Sequence, residues 1–525
     1  MNLDRLKLER RVDGLLAAFP ANGPGGTIGI VLDGELAVHR CQGLASLEYQ
    51  LPITATSRFR IASVSKQFTC AAVLKLAGEG RLSTADDIRV HLPELPDLGF
   101  ISIDMMMRNM SGVRDMLEIQ RMGGMDLSVP CTGAELLAGI CRQHSTNFPP
   151  GERFLYSNSN FLLAGLIVER VSGLNLTAYL ERHFFAPLGM NATKMTPQTT
   201  EIVPELASGY IRAAAGHFIR APHAFEIGGE GGLVSCVADL ALWDRALSSG
   251  EADLAGLTER ADFLDGQTNL YARGLVVGAR RGVRTEDHGV LWPGYKTGFL
   301  RAPEIDATVI CMINNGAGDA QALAMNTLDA ILDGLPNIHP VPPMPSDEVL
   351  LPLAGLYVDA ATPMTLEIAV SAGGMMTCNA FGVPQAVSAR EDHTLISGRG
   401  PFALALQPRE GGMIVTLPSG HVQEFVKLAA PSALPDGVDG SYESVDMASN
   451  LAITGSEATL SGPIMRGRGC SLSGIEGDVI RIHMPSVLFS GWLDARVLRS
   501  ADGAVTGLMV HGGRAKGVLF TRVAG

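Results

Sequence analysis

The 525-residue sequence lacks paired cysteines, long apolar runs and an excess of basic charge. Its eight cysteines stand singly, without a C-x-x-C pair, which excludes a disulfide framework and a thiolate zinc site and indicates a reducing compartment. No window approaches the roughly 18 uninterrupted apolar residues of a membrane helix. The segment Met1–Phe19 mixes charges with apolar residues at helical spacing, unlike a signal peptide. We therefore expect a cytoplasmic protein that does not span a membrane.

Basic residues are outnumbered, with 41 Lys and Arg against 54 Asp and Glu and a formal net charge of −13. A surface of this sign does not attract nucleic-acid phosphates or anionic lipids, so neither nucleic acid nor membrane is expected as a partner. The sequence also lacks H-E-x-x-H, H-x-x-E-H and a phosphate loop with its downstream lysine, which leaves metal ions and organic cofactors without support. Hydrophobic residues make up 46%, enough for large buried cores.

The chain divides at a proline-rich stretch. Residues 1–335 alternate strand-like and helix-like patterns, beginning with a hairpin about Asp33-Gly34, and predict an α/β or α+β sandwich with helices on an antiparallel sheet. Residues 335–346 hold five prolines and predict a semi-rigid linker. Short strand-like runs with frequent turns follow, which is the pattern of antiparallel β-barrels.

The all-β region shows signs of an internal repeat. Gly355-Leu-Tyr357 opens one unit and Gly440-Ser-Tyr442 opens the next, and similar strand-like segments close each unit. We therefore predict three domains, a catalytic domain at 1–335 and two β-barrels at 336–430 and 431–525.

The segment Ser63-Val-Ser-Lys66 forms an S-x-x-K motif. Residues three apart share one helical face, so the Ser63 hydroxyl and the Lys66 amine can meet. A serine at a helix N-terminus lies beside free backbone N–H groups, which can form half of an oxyanion hole. Burial and the helix dipole would lower the pKa of Lys66 and make its amine a base.

Two further segments carry candidate catalytic groups. Tyr156 and Asn158 alternate before a helix and can project to one side, although taken alone they fit a polar loop with a capping asparagine. His288 opens a late strand, and Lys296-Thr297-Gly298 competes with it as the third motif.

These motifs, in this order, resemble those of the S-x-x-K serine hydrolases, which include class C β-lactamases, penicillin-binding carboxypeptidases and related esterases. Three other segments fit the same family: Ser111–Asp115, Pro187–Met190 and Gly231–Ser235. The resemblance implies a β-lactamase-like sandwich in which Ser63 is the nucleophile, Lys66 the base, Tyr156 a proton relay and His288 a hydrogen-bond donor. It also implies that Asn158, Gly289 and Val290 contact the substrate. Val290 stands where the His branch of the family usually has glycine.

The whole chain is similar to the bacterial D-stereospecific aminopeptidases, which carry two barrels after the catalytic domain. The similarity extends to the run Ser63–Cys70 and to the tail at Gly491-Trp492. It implies release of N-terminal D-amino acids from short peptides, amides or esters, without a cofactor, by a homodimer. In that family a loop of the last barrel reaches the active site with an Asp near the substrate amine. The matching stretch Arg481–Trp492, with Ser486 and Val487 as contacts, contains no Asp or Glu.

Two other functions fit the same residues. One is a carboxylesterase or penicillin-recognising hydrolase, which the missing acidic residue favours. The other is a non-enzymatic sensor that forms a slow acyl adduct, against which the complete Ser, Lys, Tyr and His set argues.

Overall fold

The computed structural model describes residues 4–523, except 251, 290–291, 372–374, 381–383, 391, 393 and 487–490. The predicted catalytic domain is built on a six-stranded antiparallel sheet. Its strands are β1 (Gly26–Leu32), β2 (Glu35–Gln42), β3 (Val276–Arg280), β4 (Val283–Gly289), β5 (Lys296–Ala302) and β6 (Ala307–Ile313). Their order across the sheet is β3-β4-β5-β6-β1-β2. Asp33 and Gly34 both have left-handed backbones, with φ of 51° and 77°, as a two-residue hairpin turn requires.

Helices cover both faces of this sheet. The described helices are α1 (Arg5–Leu16), α2 (Ser65–Gly78), α3 (Ile88–His91), α4 (Ile103–Met107), α5 (Met116–Met122), α6 (Gly133–Cys141), α7 (Asn158–Ser172), α8 (Leu176–Leu180), α9 (Ala186–Leu188), α10 (Val237–Ser248), α11 (Ala252–Ala255), α12 (Ala320–Leu332) and α13 (Asp347–Leu350). Helix α13 follows the proline-rich stretch, and its Leu350 packs in the core of the first β-barrel rather than on this sheet. Helices α1 and α12 pack on one face, and α2, α7 and α10 pack on the other. Strand β6 is buried throughout because its two faces contribute to two different cores.

Several small sheets of two or three short strands accompany the six-stranded sheet. In a three-stranded sheet, the central strand Leu233–Ser235 pairs with Phe59–Arg60 on one side and with Lys194–Met195 on the other. Phe59–Arg60 leads directly into the S-x-x-K segment. The remaining short pairs are Leu44–Ser46 with Leu51–Pro52, Tyr210–Arg212 with Phe218–Arg220, and Ala261–Asp262 with Thr268–Asn269.

Two closed antiparallel barrels of eight strands each follow the catalytic domain. The first contains Gly355–Asp359, Thr365–Val370, Met376–Asn379, Gln385–Ala389, Leu395–Ser397, Leu404–Arg409, Gly412–Thr416 and Val422–Lys427. The second contains Gly440–Ser444, Ser449–Thr454, Glu457–Ser461, Arg468–Glu476, Val479–Met484, Gly491–Arg499, Val505–His511 and Val518–Arg522. The predicted sandwich followed by two barrels is confirmed.

The first strand of each barrel carries a tyrosine whose hydroxyl donates to a backbone carbonyl. The Tyr357 hydroxyl donates to the carbonyl of Leu353 at 2.7 Å, and the Tyr442 hydroxyl donates to the carbonyl of Val438 at 2.6 Å. Each bond spans four residues and joins the opening strand to the segment that precedes it. The shared G-x-Y sequence therefore marks equivalent positions in two copies of one unit.

The second barrel is anchored to the catalytic domain by buried polar groups. Arg114 is buried and forms an ion pair at 3.0 Å with Asp446 of the barrel. Arg114 also donates to the carbonyl of Lys516, and Arg468 of the barrel donates to the carbonyl of Met125 at 2.7 Å. Between the barrels, Asp494 accepts hydrogen bonds from the backbone and hydroxyl of Thr365. These contacts fix the position of the second barrel relative to the sandwich domain and to the first barrel.

The eight cysteines are all unpaired. In the described part of the chain, no single helix has the length and apolar character to cross a bilayer, although the bent pair Asn158–Ser172 and Leu176–Leu188 passes that test when its two parts are taken together.

We expect Asp446→Asn to destabilise the contact between the second barrel and the catalytic domain by about 1–3 kcal/mol, because it removes the charged partner of buried Arg114. Differential scanning calorimetry should show a lower midpoint for the transition that includes the barrel. Asp502→Asn, in an exposed hairpin of the same barrel, is the matched control. Equal midpoints for the two variants would contradict the anchoring role.

Candidate active site

Ser63 lies at a strained junction between a strand and a helix. After Phe59–Arg60 the chain forms a tight turn at Ala62–Val64 and then enters α2. Ala62 has a φ of 36°, an unfavourable left-handed conformation for a residue with a side chain. Ser63 is nevertheless only partly buried, so its hydroxyl remains accessible to a substrate. The turn thus presents the serine at the mouth of the site beside the free N–H groups that begin the helix.

Lys66 is fully buried and touches three oxygen atoms. Its Nζ lies 2.9 Å from Ser63 Oγ, 2.9 Å from Asn158 Oδ1 and 2.6 Å from the carbonyl oxygen of Glu230. The pKa of Lys66 is lowered to about 7, chiefly by burial; the charge of Glu230 opposes this shift and the charge of Arg514 adds to it. A neutral amine has only two hydrogens. When Asn158 and Glu230 accept them, the nitrogen lone pair faces the Ser63 hydroxyl.

Tyr156 completes the contacts of the nucleophile. Its hydroxyl lies 2.8 Å from Ser63 Oγ, and its ring is buried. Burial raises the pKa of Tyr156 well above its usual range, so the side chain is a neutral phenol at physiological pH. A neutral phenol donates a proton rather than accepts one. Of the two candidate bases, the geometry and the pKa directions therefore favour Lys66.

Asn158 is oriented by a buried carboxylate. Asp115 accepts hydrogen bonds from the Asn158 backbone N at 2.7 Å and from Asn158 Nδ2 at 2.9 Å. Its other oxygen caps α5 by accepting from the backbone N–H groups of Leu117 and Glu118. Because Nδ2 is held by Asp115, the amide oxygen of Asn158 must face Lys66. Asp115 ends the S-G-x-x-D segment, but the sequence did not reveal this role.

His288 lies behind the tyrosines, and its two ring nitrogens are both engaged. Nδ1 lies 2.7 Å from the carbonyl of Gly289 and must donate to it, so Nε2 accepts from the Tyr271 hydroxyl at 3.0 Å. Burial, aided by the charge of Lys66, lowers the pKa of His288 to about 3. The predicted donation from His288 to Tyr156 or to substrate is replaced by these two bonds, although the His288 and Tyr156 ring centroids lie 6.1 Å apart. Tyr271 was not predicted, because it belongs to no motif.

Lys296 faces away from the site. A Cβ on Gly298, two residues along β5, would meet the backbone of Ala320 and the side chain of Ala324 on α12, so this face of the strand packs against α12. Lys296 shares that face, whereas Phe299 and His288 pair across the opposite face. Of the two predicted third motifs, the structure therefore places only His288 on the side of Ser63.

The other predicted substrate contacts divide into two groups. A Cβ on Gly289 would point at Gln321 of α12, so only the backbone of Gly289 can line the site. Ser486 is hydrogen-bonded to Asp126, which follows α5. Ser486 thus contacts the loop after α5, and its predicted contact with the substrate stays a prediction. Val290 and Val487 lie outside the described residues.

Both barrels contribute side chains that no motif indicated. The Tyr156 ring lies 5.5 Å from the ring of Phe402 of the first barrel and 5.0 Å from the guanidinium carbon of Arg514 of the second. Phe402 and Arg514 are 45% and 40% exposed, so each combines contact with Tyr156 and access from solvent. These contacts form only where separate domains pack together, so no local sequence pattern predicts them.

Glu230 adds a buried carboxyl group beside Lys66. One of its oxygens accepts from the backbone N of Gly228 at 3.0 Å, while Oε2 is buried without a hydrogen-bond partner among the described residues. Burial raises the pKa of this carboxyl. Within the described residues, no group of three or more His, Cys, Asp and Glu side chains is placed to hold a metal ion. The groups that the site offers are a hydroxyl, an amine, a phenol and an amide.

The sequence was compared with known families and structures. A family model described as Beta-lactamase matches residues 12–333, more than half of the chain, so this chain belongs to the Beta-lactamase family. It is similar to a protein named D-aminopeptidase from Cereibacter sphaeroides, with 27% identity over 100% of both chains. It is also similar to a D-aminopeptidase from Brucella anthropi, with 29% identity over 58% of this chain and 59% of the relative. The family resemblance inferred from the motifs is confirmed.

Two solved structures show the same fold. An octameric penicillin-binding protein homologue from Pyrococcus abyssi matches with a TM-score of 0.57 and 21% identity, over 88% of this chain and 99% of the other. The D-amino acid amidase of Ochrobactrum anthropi SV3, complexed with D-phenylalanine, matches with a TM-score of 0.53 and 23% identity, over 62% of this chain and 99% of the other.

We expect activity to rise with pH through about 7, because only the neutral Lys66 amine can accept the serine proton. Glu230→Gln removes a negative charge that favours the ammonium form. It should therefore lower the pKa of Lys66 and move the acidic limb of the kcat/KM profile to lower pH. The profile is measured with a substrate that does not titrate in this range.

The matched control is Glu226→Gln, since Glu226 lies on the same segment but accepts from Gly133 N. An acidic limb that stays in place or moves to higher pH in Glu230→Gln would contradict the assignment of Lys66 as base.

Proposed function

We propose that this chain is a serine hydrolase that works through an acyl-enzyme on Ser63. One observation carries the proposal: the buried Lys66 amine lies 2.9 Å from the Ser63 hydroxyl, and two other oxygens accept its hydrogens. In the first step Ser63 Oγ attacks a carbonyl carbon, and its proton passes to Lys66. The backbone N–H of Ser63 stabilises the developing oxyanion, which is worth about 3–4 kcal/mol per donor.

Tyr156 protonates the leaving group in this proposal. Its neutral hydroxyl adjoins Ser63 Oγ, so it lies next to the departing nitrogen or oxygen once Ser63 is bonded to the substrate carbon. The Lys66 ammonium then returns a proton to the Tyr156 oxygen, so that the amine and the phenol regain their starting forms. A water molecule attacks the acyl-enzyme in the second step, with Lys66 again as the base, and releases the acid.

The proposed substrates are short peptides, amides or esters with an N-terminal D-amino acid. The relatives named D-aminopeptidase support this class. Phe402 and Arg514 lie against the Tyr156 ring, and we infer that they favour small substrates over proteins. The proposal needs neither a metal nor an organic cofactor. A cytoplasmic location and a homodimer stay predictions from the sequence.

A carboxylesterase or penicillin-recognising hydrolase is the second candidate. The observation that favours it is the lack of an acidic residue in Arg481–Trp492, together with the cation Arg514 beside Tyr156. A free substrate ammonium would have no counter-charge from that segment. A non-enzymatic sensor is the third, and the base placed next to Ser63 argues against it.

We expect Ser63→Ala and Lys66→Ala each to lower hydrolysis of D-alanine p-nitroanilide by about 1,000-fold or more, because each removes a group that reacts in the first step. Mass spectrometry of the wild type with a slow acylating ester should locate the added mass on Ser63. Parallel assays with the L-anilide and with short-chain esters separate the first two candidate functions.

The matched control is Ser65→Ala, since Ser65 lies in the same helix but its hydroxyl accepts from Leu233 N. This variant should still acquire the adduct on Ser63. Turnover retained by Ser63→Ala would overturn the mechanism, and a permanent adduct without turnover in the wild type would favour the sensor.

A further inference from the structure

Arg514 of the second barrel is held in place against the catalytic domain. Its carbonyl accepts hydrogen bonds from Asp115 N at 3.2 Å and from Asn147 Nδ2 at 3.1 Å. Two residues on, Lys516 N donates to Asn147 Oδ1 at 2.8 Å, and Arg114 donates to the Lys516 carbonyl. The segment is therefore fixed at Arg514 and two residues after it, so the Arg514 side chain starts from a defined position.

The guanidinium of Arg514 has N–H groups that donate no hydrogen bond to a described side chain. It lies over the Tyr156 ring, and in the described part of the chain its one ion-pair partner is Asp115, at 3.7 Å. Asp115 already accepts four hydrogen bonds from Leu117, Glu118 and Asn158. Among the described residues, no side chain accepts a hydrogen bond from the guanidinium, which has five N–H donors and is partly exposed. A cation in this state is suited to bind a carboxylate from outside.

The position of Arg514 relative to the reacting groups decides which part of a substrate it meets. Tyr156 links the guanidinium to the nucleophile, because its ring contacts Arg514 and its hydroxyl contacts Ser63. In the proposed mechanism the same hydroxyl protonates the leaving group. A negative charge close to the departing nitrogen would therefore lie near Arg514, whereas an ammonium there would be repelled by it.

We propose that Arg514 binds a carboxylate carried by the leaving group, so that the preferred substrates are dipeptides whose scissile nitrogen belongs to an amino acid with a free carboxylate. This inference rests on the proposed acyl transfer and names its substrate class. The residue that selects the substrate would then belong to the second barrel. It lies in the segment after the strand Val505–His511 and not in Arg481–Trp492.

The test compares two substrates that differ only in this charge, D-alanyl-glycine and D-alanyl-glycinamide. Wild type should hydrolyse the acid with a kcat/KM about 10- to 100-fold above that of the amide, as expected for a charge-assisted contact. Arg514→Gln should lower this ratio at least tenfold, and Arg514→Lys should give an intermediate ratio because it keeps the charge without the fork. Chromatography with mass spectrometry separates glycine from glycinamide.

Arg466→Gln is the control, because it removes an exposed positive charge from the same barrel. It should keep the wild-type ratio, and thermal unfolding verifies that every variant is folded. Equal rates for acid and amide in the wild type, or a ratio unchanged by Arg514→Gln, would overturn the inference.

Hydrolysis of p-nitrophenyl acetate, with Ser63→Ala as the blank, tests the acyl transfer separately. If this ester is cleaved but neither dipeptide is, inhibition of the ester reaction becomes the readout. The acid should then inhibit at about tenfold lower concentration than the amide in wild type and not in Arg514→Gln. Equal inhibition by both compounds would also overturn the role of Arg514.

Discussion

The arrangement depends on a lysine amine held away from water. Removing an ammonium from water is costly, and the fold lowers this cost by keeping Lys66 in its neutral form and by giving its hydrogens two acceptors. The three contacts of the amine come from different elements. Ser63 lies in the turn before α2, Asn158 lies at the start of α7, and Glu230 lies in the glycine-rich segment 228–232. The sheet and helical layer serve to bring these three elements to one point.

The barrels extend the site rather than merely following it in the chain. Phe402 and Arg514 flank Tyr156, so the group that would meet the leaving group is surrounded by one apolar and one cationic side chain. Arg514 also lowers the pKa of Lys66, which couples the position of the last barrel to the strength of the base. Loss of the anchor at Arg114 and Asp446 would therefore change both the mouth of the site and its chemistry.

Local patterns predicted most of the architecture and the nucleophile. Turn residues predict the Asp33-Gly34 hairpin, and helical spacing of apolar residues predicts α2. Short strand-like runs between frequent turns predict the two barrels. Each of these signals acts over a few residues. The Ser63 and Lys66 contact follows from spacing on one helix. Arg514 depends on how separate domains pack, and its neighbourhood has no sequence signature.

Direct titration of the Lys66 amine tests the central claim. Carbon NMR of the protein labelled at the lysine ε-carbons should show a resonance that titrates near pH 7 and is missing in Lys66→Met. Such a value would mean that burial supplies a neutral base at the nucleophile. A Lys66 resonance that titrates near 10.5, the value of an unperturbed lysine, would contradict the account.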